Sequence, residues 1–212
     1  MPVDHMNCSS ATNSGDEQHP LSPAGARVQF RRLRRFWTRR SRCVTVVNGH
    51  PDLRPGRYCA ALSSAYAEGA RIAGHDVHIV NAAVAWRCGG DYAHAAVKRI
   101  QTAEQLVFIY PLWFDRPPAF LNMFLEHCAR QAATGNQAVL AVVTMDMPAF
   151  LLRGNLRGTD TPAGLASTVA LSDLQPSDAI FIGTVASMRA EQRQEWIGTV
   201  HDIGAGRQLV QH

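Results

Sequence analysis

Three short segments hold most of the side chains with chemistry to offer. The first, Gly49-His50-Pro51-Asp52-Leu53-Arg54-Pro55-Gly56-Arg57, stands just ahead of a helical pattern. Helix N-termini attract phosphate through unpaired N–H groups and the helix dipole. Gly49 and Gly56 allow close backbone approach, and His50, Arg54 and Arg57 add positive donors. The same residues also suit an ordinary strand-to-helix turn with a capping histidine. The second segment, Pro111-Leu112-Trp113-Phe114, offers two aromatic walls for a flat ring, or a pair of aromatics closing the core. The third is Thr144-Met145-Asp146-Met147-Pro148. Thr144 can hydrogen-bond through hydroxyl or backbone, and Asp146 suits a cap on the turn before Pro148.

The elements that must position these segments alternate between strand and helix. Strands are predicted at Cys43 to Asn48, Asp76 to Val80, Gln105 to Tyr110, Gln137 to Thr144 and Asp178 to Gly183. Helical patterns cover Arg57 to Ala73 (closed by Gly74), Asp91 to Ala103, Pro117 to Arg130, Leu165 to Leu174 and Arg189 to Ile203. Continuous apolar strands separated by helices predict an α/β fold, a five-stranded parallel sheet with helices on both faces. In such a sheet ligands sit at the carboxyl ends of strands near the switch point. All three segments lie at predicted strand ends.

Charge divides the chain. Residues 1–42 hold eight arginines against three acids, while residues 43–212 hold thirteen basic and fourteen acidic side chains. The net charge of +4 therefore belongs to the N-terminal extension, and the core domain offers no basic surface for nucleic acid. Residues 1–26 lack periodicity and read as disordered. Across 27–42, Phe30, Leu33 and Trp37 recur at helical spacing between arginines. This suits a basic amphipathic helix on an anionic membrane surface or RNA, or else a solvated extension. Residues 208–212 form a short tail.

The composition, 46% apolar and 18% charged, excludes wholesale disorder. No apolar run reaches the roughly 18–20 residues of a membrane-spanning helix. Cys8, Cys43, Cys59, Cys88 and Cys128 are odd in number and form no CxxC pair. That predicts neither a disulfide framework nor a cysteine zinc site, and suits a reducing, cytoplasmic setting. His75 and His78 point to opposite faces of a strand, so no metal site is expected there. The chain has no GxSxG elbow and no phosphate-binding GxxxxGK[ST] loop.

Taken in order, VNGHPDLRPGRYCAALSSAYAEGARIAGHDVHIV, AEQLVFIYPLWFDRPPAFLNMFLE, VTMDMPAFLLRG and IFIGTVASMRAEQRQEW resemble the flavodoxin-fold NAD(P)H:quinone oxidoreductase family over about residues 43 to 207. The resemblance implies a flavodoxin-like sheet and a flavin enzyme, usually homodimeric. Such enzymes take hydride from NAD(P)H onto FAD or FMN and pass two electrons to a quinone or similar acceptor. It places a flavin phosphate at His50, Arg54 and Arg57. Pro111, Leu112, Trp113 and Phe114 would lie along the ring, with Thr144, Met145, Asp146 and Met147 bordering it. Where relatives carry a tyrosine and a histidine that handle proton and charge, this chain has Leu152 and Thr159, so the resemblance assigns no catalytic side chain. A loop that covers the site from the partner subunit is also missing between Arg130 and Gln137. These departures leave a second expectation open: a catalytically weak binding or regulatory protein ancillary to a membrane system, or a degenerate copy that binds nothing.

Overall fold

The computed structural model describes residues 27–29, 42–54, 56–113, 116–131, 137–148 and 178–207. A short strand β1 (Arg27–Gln29) precedes β2 (Cys43–Asn48), α1 (Tyr58–Ile72), β3 (Asp76–Asn81), α2 (Ala82–Cys88) and α3 (Gly90–Thr102). Then follow β4 (Gln105–Leu112), α4 (Ala119–Gln131), β5 (Ala138–Met145), β6 (Asp178–Ile182) and α5 (Ala190–Gly204). The strand order is β1-β6-β5-β4-β2-β3. Strands β2 to β6 are mutually parallel, and the order turns back on itself between β2 and β4. This is the doubly wound arrangement in which the switch-point crevice lies at the carboxyl ends of those two strands.

Valine-rich and apolar runs form these strands because both faces are covered. All eight residues of β4 are buried. Val107 and Ile109 pack with Val44 and Val46 against α1 and α5. Leu106, Phe108 and Tyr110 alternate onto the other face, toward α2, α3 and α4. Helix α1 ends at Gly74, whose φ of 86° closes the turn. On the first face α1 and α5 cross in backbone contact. A Cβ at Gly69 would fall 2.0 Å from the carbonyl oxygen of His201, and one at Gly204 would fall 2.3 Å from that of Tyr66.

The five parallel strands and their covering helices follow the sequence expectation, with three corrections. Arg27–Gln29, expected within a disordered or helical extension, instead pairs antiparallel with Ala179–Phe181 of β6. Helical spacing is a local signal, whereas the open edge of β6 presents backbone donors and acceptors that a short extended segment satisfies. Ala82–Cys88, read as a connection, is a helix of seven residues closed by Gly89 at φ 58°. Strands β4 and β5 also run further than expected, because Pro111 pairs with Thr144 and Leu112 with Met145. The rest of the extension, the helix expected over Leu165 to Leu174 and the tail 208–212 lie outside the described residues.

Candidate functional site

The carboxyl end of β2 organises the first loop. Asn48 is buried, and its Nδ2 donates to Asn81 Oδ1 (3.2 Å) on β3. Its Oδ1 accepts the His50 N–H at 3.1 Å. The loop then folds back on itself, and the Asp52 N–H donates to His50 Nδ1 at 2.9 Å. The same Nδ1 lies 3.0 Å from the Asp52 carbonyl oxygen, and burial lowers the His50 pKa, which favours the neutral ring. His50 thus orders the loop through both backbone groups of Asp52.

Asp52 changes the electrostatics of the arginines. Its carboxylate accepts Nε and Nη2 of Arg54 at 3.0 and 2.6 Å, and Nε of Arg57 at 2.6 Å. The Arg54 backbone N–H adds a bond at 3.1 Å. Hydrogen bonds from Arg54 hold the Asp52 carboxyl well below the usual carboxylate range. The two expected phosphate donors therefore converge on an internal anion. Both remain accessible at 73% and 44% exposure. A guanidinium carries five N–H donors, so pairing with one carboxylate leaves capacity for a second acceptor. Just beyond, no side chain caps the N-terminus of α1. Its first N–H groups are the orphan donors that attract an anion.

The second loop begins at Trp113, which stands 46% exposed at the end of β4. Its ring meets His50 edge to face, with centroids 6.1 Å apart. The loop is closed by paired backbone bonds between Trp113 and Arg116, each 3.0 Å. The Trp113 N–H is spent on that closure. Phe114 lies outside the described residues.

The third segment divides between interior and surface. Thr144 is buried and its hydroxyl meets Cys59 Sγ of α1 at 3.5 Å. Pro111, Leu112 and Met145 are likewise buried strand residues. They sit in paired strand, Pro111 opposite Thr144 and Leu112 opposite Met145. Asp146 is exposed, and its Oδ1 accepts the Ala186 N–H at 3.1 Å. Rather than capping its own turn, it joins the loop after β5 to the loop after β6. The half-buried Met147 adds a second tie, its carbonyl oxygen accepting the Thr184 N–H at 3.2 Å.

Thr184 is one of four residues outside the sequence expectation. Its φ of 56° is unusual for a β-branched residue, and it sits where this fold places ligands. Replacement by Gly is expected to stabilise the protein by about 0.5–1 kcal/mol in urea unfolding, since strain relief outweighs the entropy gained by the unfolded chain. A loss of more than about 1 kcal/mol would show that the Thr184 contacts dominate over strain. Asn48, Asp52 and Asn81 were legible in part: a polar residue ends each of two apolar strands, and an Asp two residues before an Arg is a local ion-pair signal. Leu152 and Thr159, the positions left for catalytic side chains, lie outside the described residues.

The strand order, the crevice and the loops that line it define a flavodoxin-like α/β protein. A family model described as flavodoxin-like fold matches residues 43–200, and the chain belongs to that family. Among solved structures it is similar to an NAD(P)H:quinone oxidoreductase from Methanothermobacter marburgensis. The two are 16% identical with a TM-score of 0.61 over 82% of this chain and 99% of that one. A protein from Klebsiella pneumoniae described as a putative quinone reductase matches at 15% identity and TM-score 0.57, over 76% and 83% of the two chains. An NADH:FMN oxidoreductase, in its apo form, matches at 15% and 0.52, over 79% and 90%. At these identities the structural likeness establishes the fold. No curated protein matches the chain.

Proposed function

We infer that this protein is a flavin-dependent oxidoreductase that carries two electrons from NAD(P)H to a quinone or similar acceptor. One observation carries the reading. The uncapped N-terminus of α1, two accessible arginines and the half-exposed Trp113 ring meet at the switch-point end of the sheet. That donor set fits a phosphate beside a flat aromatic group. The solved structures of similar fold support it, since their names include NAD(P)H:quinone and NADH:FMN oxidoreductases.

When bound, FAD or FMN supplies the electron chemistry. This chain's residues then hold and orient the group. Arg54, Arg57 and the first N–H groups of α1 take the phosphate. Trp113 flanks the ring, and His50 braces Trp113. Asp146 and Met147 fix the loops on the far side. Trp86, Tyr92 and Met123 expose apolar surface on α2, α3 and α4, which supports a homodimer.

The reading predicts oxidation of NADH or NADPH by the flavin-loaded protein on addition of a soluble quinone. Trp113→Ala is expected to weaken flavin binding by about tenfold, the scale of one lost aromatic contact. Unchanged flavin affinity in the folded variant would remove Trp113 from the site. A second reading, a binding protein with little turnover, is favoured by Leu152 and Thr159 standing where relatives carry a tyrosine and a histidine. Tight flavin binding with no NAD(P)H oxidation would select it.

A further inference from the structure

At the opposite end of the sheet, three side chains of different ligand chemistry converge. Cys43 opens β2 and is the register partner of Asp76, which opens β3. His78 lies two residues further along β3, on the same face as Asp76. The thiol sulfur, a carboxylate oxygen and an imidazole nitrogen all lie within 4.8 Å of one another. The His78 Nε2 to Asp76 Oδ2 distance is 3.4 Å. None of the three belongs to the crevice, which lies about 17 Å away along β2, at roughly 3.3 Å per residue.

We propose that Cys43, Asp76 and His78 form a three-ligand site for a thiophilic divalent cation such as Zn²⁺, with water in the fourth position. The set combines sulfur, nitrogen and oxygen donors, which suits Zn²⁺ and disfavours the all-oxygen ions Mg²⁺ and Ca²⁺. Metal–ligand bonds of about 2.0–2.3 Å need the ligand atoms to close by roughly 1 Å, within reach of side-chain rotation. Strand pairing fixes the backbone positions before any ion binds. Sequence spacing concealed the site, because its cysteine comes from one strand and its other ligands from the next. Their pairing opposes the sequence expectation of no metal site.

A cation already stands at this cluster. The Arg99 guanidinium of α3 contacts His78 Nε2, with its Nη1 on the ring nitrogen. Metal ligation by a thiol releases its proton: Cys43 S–H and M²⁺ give the thiolate–metal bond and H⁺. It also requires Arg99 to release Nε2. Because β3 is the sheet edge, the ion would clamp that edge to β2.

The test is titration of the reduced full-length chain with Co²⁺, then displacement by Zn²⁺. The expected result is one equivalent of Co²⁺ with a thiolate-to-metal charge-transfer band. That band is lost in Cys43→Ser and retained in Cys88→Ser. His78→Ala is expected to weaken binding at least about tenfold, and Arg99→Gln to strengthen it. A band that persists in Cys43→Ser, or absence of stoichiometric Co²⁺ uptake by both the parent and Arg99→Gln, would overturn the proposal. Circular dichroism on each variant separates loss of a ligand from loss of fold.

Discussion

Gly69→Ala is expected to destabilise the protein by at least about 3 kcal/mol, the upper range for overpacking a tight interior contact. The added Cβ would meet the His201 carbonyl oxygen at 2.0 Å and the Ala205 nitrogen at 2.8 Å. Both are backbone atoms, so no side-chain rotation makes room and α1 and α5 must move apart. That separation also loosens Tyr66, Trp196, Val200 and Ile203, all buried in the same cluster. Single domains are stable by only about 5–15 kcal/mol, so the loss is a large fraction of the whole. At roughly 2–4 °C per kcal/mol for this size, Tm falls by about 6–12 °C. Gly198→Ala is the control. It lies in α5 with no atom within 4 Å of an added Cβ. Helix propensity alone should then stabilise it by about 0.5–1 kcal/mol. Equal effects from the two substitutions in thermal unfolding would contradict the close crossing.

Asp52→Asn is expected to raise the affinity for FMN over riboflavin by about two- to fivefold, an effect of the size that exposed ion pairs support. In the parent protein the Asp52 carboxylate engages both Arg54 and Arg57. A phosphate entering that cradle competes with an anion tethered beside it. Asn keeps an acceptor for the Arg54 N–H, so the loop geometry is preserved while the charge is removed. Riboflavin has no phosphate, so its affinity reports the ring contacts alone. Comparing the two ligands by flavin fluorescence separates the cradle from Trp113. If Asp52→Asn shifts both affinities in parallel, the carboxylate orders the loop and does not compete with phosphate. Added salt should narrow the difference between parent and variant, since these charges face solvent.

The framework was legible because its signals are strong and local. VTVVN, QLVFIY and DAIFIG are continuous apolar runs that only a doubly covered sheet accommodates. Strand β1 was not legible, since its conformation comes from the edge of β6 rather than from its own periodicity. The three crevice loops were found by their place at strand ends, but their side chains were assigned by residue type. Type alone could not show that Arg54 and Arg57 share Asp52, or that the Thr144 hydroxyl turns inward to Cys59. These are pairings between side chains, some of them distant in sequence, that spacing does not encode. The same limit hid Cys43 beside His78.

The central claim is that the crevice holds a flavin. It is tested most directly by the visible absorbance spectrum of the purified protein, incubated with FMN or FAD and then desalted. The account predicts that flavin bands are retained in stoichiometric amount by the parent and diminished in Trp113→Ala. A folded, colourless protein after incubation with either flavin would contradict it.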